Sequence, residues 1–303
     1  MRDLKDFTAG EWLRGEPLVH TFKQWRNDLV QDLYLRQRAD GLDEFLKRLA
    51  AAPRRAHAYL IAFEQPWVLD WVLRMAAANL TDAVPIVIDN SRGADKRAEI
   101  AQVCASRNVP YLALPQNRTR HVNRSHGMAL SWTWHNVVRA AQPEVFGLFD
   151  HDLMPLEPVS LMADLGDQPF YGFLKERRWG WHLWAGFSVF RYDVVRDRPL
   201  NFLYDFSRDL DTGGRNWAPL YREFDPRRYR FCSQRMAAIT VPGLPPREME
   251  VLDERWLHLQ GVGYNDNFAT RADFFAQLER ATREGISLRQ LLAPAPIPSR
   301  PAA

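Results

Sequence analysis

An α/β fold is the class this sequence predicts: an open, mostly parallel sheet flanked by helices, preceded by an N-terminal helical extension. Three observations carry it. From His57 to Asp152, short apolar runs rich in strand formers alternate with segments of helical period. That alternation implies parallel strands joined by crossover helices. The last run, Val145-Phe146-Gly147-Leu148-Phe149, is apolar throughout, as strands buried on both faces are.

Residues 1–56 read as the helical extension. Phe22, Trp25, Leu29, Leu33 and Tyr34 fall near one helix face and are expected to pack on the main domain. Arg and Lys beside that aromatic face leave a membrane-surface or acceptor-carrier contact as the alternative. A break at Asp40-Gly41 precedes a second helix carrying Leu42, Phe45, Leu46 and Leu49, closed by Pro53.

Residues 58–63 form the first expected strand. Pro66 suits the first turn of a helix whose Trp67, Val68, Trp71, Val72 and Met75 keep a helical period. Residues 85–88 make the second strand, ending at Asp89-Asn90-Ser91, and a helix over 94–107 buries Ile100, Val103 and Cys104. Residues 111–114 are the third strand. Leu130, Trp134, Val137, Val138 and Ala141 mark the next helix, and the fourth strand runs into Asp150.

Beyond 155 the pattern loosens. Tyr171-Gly172-Phe173 and residues 185–190 are expected strands, and a helix is expected to start after Asp211-Thr212-Gly213-Gly214. The Pro- and Ala-rich tail, 293–303, is expected to be disordered. The expected divisions are therefore 1–56, 57–155, 156–292 and 293–303.

Composition narrows the functional classes. Apolar residues make up 46% and charged residues 25%, with a formal charge of only +3, so the dispersed basic residues argue against a nucleic-acid partner. Cys104 and Cys232 sit apart in apolar sequence and read as reduced core thiols of a cytoplasmic protein. The N-terminus is charged from Arg2 and lacks a secretory apolar core. No apolar run approaches the roughly 20 residues of a spanning helix. The expected location is cytoplasmic, peripheral at the inner membrane face if the aromatic helix meets lipid.

Ligands of open parallel sheets bind beyond the carboxyl ends of the strands. Three polar sites fall there: Glu64-Gln65, Asp89-Asn90-Ser91 and Asp150-His151-Asp152. In the third, two carboxylates flank one residue directly after a buried strand. Alternation aims them to one side, where they repel unless a cation lies between them. Such hard oxygen ligands suit Mg²⁺ or Mn²⁺, which also hold diphosphate oxygens. The alternative is one aspartate capping a turn and the other at the surface.

The segment Leu148-Phe149-Asp150-His151-Asp152 resembles the Asp-x-Asp motif of GT-A fold glycosyltransferases of the family-2 type, and the order of elements before it is similar. The likeness covers roughly residues 57–265. It implies a Rossmann-like half over 57–155 that binds a nucleotide-sugar donor, a UDP-sugar first among the candidates. Residues 156–292 would bind a saccharide or lipid-linked acceptor.

By that resemblance Phe63, Glu64, Asp89 and Asn90 hold the nucleoside, unless Asp89 is simply a turn-former before the next helix. Arg118 and Arg120, in the loop before the third helix, approach the diphosphate, or form a solvated charge run. Asp152 and His258 hold the metal, unless His258, set between two leucines, is a satisfied core histidine, and Asp150 supports the metal or the ribose. Trp181, His182, Trp184 and Gly186 meet the transferred sugar and acceptor, unless they are core packing. Asp211 is the base of an inverting transfer, or else a helix N-cap; the usual Glu-Asp of these enzymes is here Asp-Thr-Gly-Gly.

A haloacid-dehalogenase-like phosphatase also carries Asp-x-Asp at a strand end, but in its first strand; here three strand–helix units precede it. A catalytically silent nucleotide-binding or scaffolding module is the non-enzymatic alternative.

Overall fold

The computed structural model describes residues 2–51, 55–241, 243–260, 262 and 271–292. Pro53, Gly261 and the 293–303 tail lie outside the described residues.

The chain opens with helices α1 (Ala9–Leu13), α2 (Glu16–Leu35) and α3 (Leu42–Ala50). Gly15 and Gly41, both in the left-handed region, start α2 and α3, which is how the chain reverses at such short connections. Five elements then alternate: β1 (Ala56–Ala62), α4 (Pro66–Asn79), β2 (Ala83–Asp89), α5 (Ala94–Ser106) and β3 (Tyr111–Ala113). Helix α6 (Val122–Thr133) runs through a π turn at Trp134–Val138 into the short α7 (Arg139–Ala141). Strand β4 (Val145–Asp150) follows, then β5 (Leu153–Pro155), α8 (Leu161–Leu165), β6 (Phe170–Arg177), β7 (Gly180–Arg191) and α9 (Tyr192–Val195). The chain continues through 3-10 turns to β8 (Gln234–Ile239), β9 (Arg247–Leu252), β10 (Trp256–His258), α10 (Ala272–Arg283) and α11 (Leu288–Leu291).

Six strands form the main sheet in the order β3-β2-β1-β4-β7-β6. The first four are mutually parallel, and β7 runs antiparallel to both neighbours. Strand β1 is buried along its whole length because it lies between β2 and β4 with both faces covered. Alternation sends Ala58, Leu60 and Ala62 to one core, with α4, and Tyr59 and Ile61 to the other, with α3 and α6.

A second, antiparallel sheet has the order β5-β10-β9-β8. Its first strand leaves the main sheet directly after Asp152, so Asp150-His151-Asp152 is the junction between the two sheets. Register in this second sheet sets His258 opposite Leu153 on one side and opposite Glu250 on the other. Trp256 stacks on Phe149 at 5.4 Å, locking β10 against the end of β4. Such an aromatic pair contributes about 0.5–1.5 kcal/mol beyond its buried area.

Three expectations need correction. The expected helix there is a single 3-10 turn, Gly214–Trp217, whose own Asn216 is fully buried. Strand β7 begins at Gly180, so the aromatic stretch is strand and its residues alternate between the sheet's two faces at its start. On α2, Phe22, Trp25, Leu29 and Leu33 face solvent, and the helix packs through Asn27, Gln31 and Tyr34 instead. Periodicity revealed the apolar face; it could not say which face the domain covers.

Cys104 and Cys232 are free and buried, and burial pushes the Cys104 thiol up to about 12. Among the described residues, no helix is long and apolar enough to cross a membrane.

Candidate active site

The carboxyl ends of β1, β2 and β4 open into a cleft with about 540 Å³ of space continuous with solvent. Phe63, Asn90, Arg92, Ser125, His126 and the Asp150-His151-Asp152 junction line it. Local geometry explains each placement.

After β1 the chain turns sharply at Glu64, a non-glycine residue with φ of 57°. Its backbone N–H donates to Ser91 Oγ at 2.7 Å, and its carboxylate accepts from the N–H groups of Arg92 at 2.5 Å and Gly93 at 3.0 Å. These bonds tie the β1 and β2 loops together and offset the cost of the strained turn. Glu64 is therefore a loop anchor. Arg92 in turn donates to the Thr119 carbonyl at 2.5 Å and lies over the Phe63 ring at 5.7 Å, forming one wall of the cleft.

Asp89 is fully buried. Its oxygens accept from Ser91 N–H at 2.8 Å and the Tyr111 hydroxyl at 2.9 Å, so it secures the β2 turn and is not among the cleft-lining residues. Asn90, its neighbour, does line the cleft. The Asn90 amide donates to Ser125 Oγ at 3.1 Å, while its buried Oδ1 has no hydrogen-bond partner among the described residues. His151 Nδ1 lies 3.0 Å from the Ile61 carbonyl; because a carbonyl only accepts, Nδ1 carries the proton and donates it. Its buried Nε2 is also without a hydrogen-bond partner among the described residues. Orphaned buried polar atoms of this kind are rare and call for a ligand or water.

At the floor, one ligand atom each of Asp150, Asp152 and His258 lie within 4.8 Å of one another. His258 Nε2 is 3.4 Å from Asp152 Oδ1, and its Nδ1 is 2.5 Å from Glu250 Oε2. Leu259 N–H donates to the Asp152 carbonyl at 3.0 Å, so the backbone itself holds β10 to the junction. His126, on the first turns of α6, places Nε2 3.2 Å from Asp150 Oδ1. Gly186 completes the floor: a Cβ there would stand 2.5 Å from Asp150 Oδ2 and 2.3 Å from the Trp184 ring. Only glycine leaves the carboxylate where it is. The Trp184 ring covers the His258 ring at 4.9 Å.

The charges are strongly coupled. Burial pushes the Asp150 carboxyl up, and the neighbouring Asp152 adds to this against His126 and His258. Asp152 is held down to about 2, because attraction to His258 outweighs burial. His258 is itself held up to about 10 against burial by Asp152 and Glu250. In this state the imidazolium proton stands in the middle of a carboxylate cage, where a cation is electrostatically at home. Two carboxylates and one imidazole nitrogen form a mixed oxygen and nitrogen donor set that fits Mn²⁺ well and Mg²⁺ through its oxygens.

Other sequence-predicted residues fall elsewhere. Asp211 is exposed and accepts from Asn123 Nδ2 at 2.7 Å, on the α6 turn that also presents Val122 to the cleft. Trp181 lies in an aromatic core cluster, 4.8 Å from Tyr221 and 5.7 Å from Phe170. His182 points to the opposite face; it is buried beside Gly213, which pushes its pKa down to about 4, and neither ring nitrogen has a partner among the described residues. Arg118 and Arg120 line a different groove, against α2.

Sequence reasoning missed Glu250, His126 and Arg92. For Glu250 the only signal was a carboxylate between the apolar Met249 and Val251-Leu252, with Glu248 and Asp253 close by, and its partner is set by cross-strand register.

No family model matches this sequence, and no curated protein matches it. Among solved structures, the chain is similar to the mannosyltransferase PcManGT from Pyrobaculum calidifontis in complex with GDP-Man and Mn²⁺. The two are 12% identical over 59% of this chain and 56% of that one, with a TM-score of 0.34. It is also similar to glucosyl-3-phosphoglycerate synthase from Mycobacterium tuberculosis in complex with Mn²⁺, UDP and glucosyl-3-phosphoglycerate. There the identity is 13% over 52% of this chain and 63% of that one, with a TM-score of 0.34. The chain thus spans less than two thirds of the length of these solved chains.

Proposed function

We propose that this chain is a metal-dependent glycosyltransferase, taking a sugar from a nucleotide-sugar donor and passing it to a saccharide or lipid-linked acceptor with inversion. The observation that carries the reading is the meeting of Asp150, Asp152 and His258 at the floor of a cleft beyond the parallel strands. It agrees with the Asp-x-Asp resemblance of the sequence.

Asp152 and His258, with Asp150, would hold Mn²⁺ or Mg²⁺; the ion supplies neutralisation of the departing nucleoside diphosphate. The protein's own groups do the rest. Glu250 keeps the proton on Nδ1 of His258 and so leaves Nε2 as the donor atom. Asn90 offers its free Oδ1 to the nucleoside, and Phe63 with Arg92 offers a flat wall. Trp184 faces the cluster with an apolar surface suited to sugar C–H groups. Asp211 is the group to take the acceptor hydroxyl's proton, swinging from its bond to Asn123. Inversion, a uridine donor and a cytoplasmic site of action belong to the proposal.

The test is turnover. Purified chain should hydrolyse or transfer sugar from one nucleotide-sugar in the presence of Mn²⁺, and chelation should stop it. Nucleotide binding with no metal-dependent turnover across a donor panel would instead make the chain a silent binding module.

A further inference from the structure

Helix α2 is amphipathic in the reverse sense. The face it turns to the domain is polar: Asn27 Oδ1 accepts from Arg124 Nη1 at 3.2 Å, Gln31 Oε1 accepts from Asn201 Nδ2 at 2.7 Å, and Asp28 pairs with Arg215. The face it turns outward is apolar. Leu18 is 69% exposed, Phe22 61%, Trp25 60% and Leu33 57%, with Leu29 between them at helical spacing. A stripe of this kind on a helix so firmly held by polar bonds is not an unpacked core face. It is a surface presented to something apolar.

The stripe runs into a groove with about 1300 Å³ of open space, and Val30 and Leu33 belong to both. The groove's far wall carries Arg118, Arg120 and Arg124, and no carboxylate is among its lining residues. Arg118 and Arg120 are exposed, and the buried Nε of Arg124 has no hydrogen-bond partner among the described residues. Lys23 and Arg26 lie on the groove side of the stripe in the helical projection, whereas Asp28 and Asp32 lie on the other.

We propose that the outer face of α2 docks on an anionic lipid surface, with the arginine groove receiving lipid phosphate. Aromatic and aliphatic side chains beside basic ones are what the headgroup boundary of a bilayer accommodates. Charge selects lipid over a second copy of this chain: the groove presents guanidinium groups and no acid, so it complements an anionic partner. The docking is independent of the catalytic reading and places the protein on the membrane without spanning it.

Vesicle co-sedimentation of the full chain tests this, comparing phosphatidylcholine vesicles with vesicles that also contain phosphatidylglycerol. Wild-type protein should bind the anionic vesicles and be released by salt. Phe22→Ser/Trp25→Ser should abolish binding. Arg118→Gln/Arg120→Gln should weaken it roughly tenfold or more and remove the preference for anionic lipid. Unchanged melting curves would show that both variants fold; if the first did not, the arginine variant and the salt dependence would still decide. No vesicle binding, or equal binding to both vesicle types, overturns the proposal. So does concentration-dependent dimerisation that is lost in Phe22→Ser/Trp25→Ser without any vesicle binding, which would make the stripe a contact between copies.

Discussion

Glu250 Oε2 lies 2.5 Å from His258 Nδ1, and this leaves Nε2 of the same ring 3.4 Å from Asp152 Oδ1. One carboxylate thus fixes the tautomer and orientation of a histidine whose other nitrogen faces two more carboxylates. The arrangement is that of an oriented metal ligand.

Glu250→Gln should therefore weaken Mn²⁺ binding by about 10–100-fold while leaving the fold intact. Calorimetric titration of the ion checks this. Unchanged affinity would show that the Glu250–His258 contact is structural only.

Proton and metal compete at His258. Below its pKa of about 10 the ring holds the proton that an ion must displace, so Mn²⁺ affinity should rise with pH. Without metal the sign is opposite. The raised His258 pKa stabilises the fold fully below its ordinary 6.5 and ceases to do so as pH climbs through about 10. The lowered Asp152 pKa stabilises it above 3.8 and ceases as pH falls through about 2. Chelated protein should lose stability between pH 7 and 10 more steeply than chelated Asp152→Asn. Parallel melting curves for the two proteins would refute the coupling.

Gly186→Ala places a methyl group against Asp150 and Trp184. The chain should fold, at a cost of about 1–3 kcal/mol, but lose its metal-dependent stabilisation because Asp150 must move. Thermal melting with and without Mn²⁺ reads both effects.

Asp211→Asn should lower kcat by about 10²–10⁴-fold with donor and metal binding unchanged. A matching rise in KM for the donor, with kcat preserved, would mean that Asp211 acts only by holding Asn123 at the α6 turn.

Much of this was legible in the sequence, for physical reasons that also mark where legibility ends. Strands β1 and β4 are buried on both faces, so their apolar runs stand out, and Asp150 and Asp152 are conspicuous where the run stops. His258 could be suspected, but Glu250 could not be joined to it, because pairing between β9 and β10 is a matter of register rather than spacing. Arg118 and Arg120 looked like phosphate ligands from their place before a helix. Asn117, accepting from Thr119 N–H and donating to the Ser125 carbonyl, folds that loop toward α2 instead. Trp181 and Trp184 are close in sequence, yet strand alternation sends the first into the core and the second over His258.

The most direct test of the central claim is the melting temperature of the chain with UDP, GDP, CDP or dTDP, each with and without Mn²⁺, in wild type and in Asp152→Ala. A ligand at a hundredfold excess over its dissociation constant stabilises the folded state by about 2.7 kcal/mol. A Mn²⁺-dependent rise with one nucleoside diphosphate, lost in Asp152→Ala, is the expected result. A rise that persists undiminished in that variant, or no rise with any of the four, would contradict it.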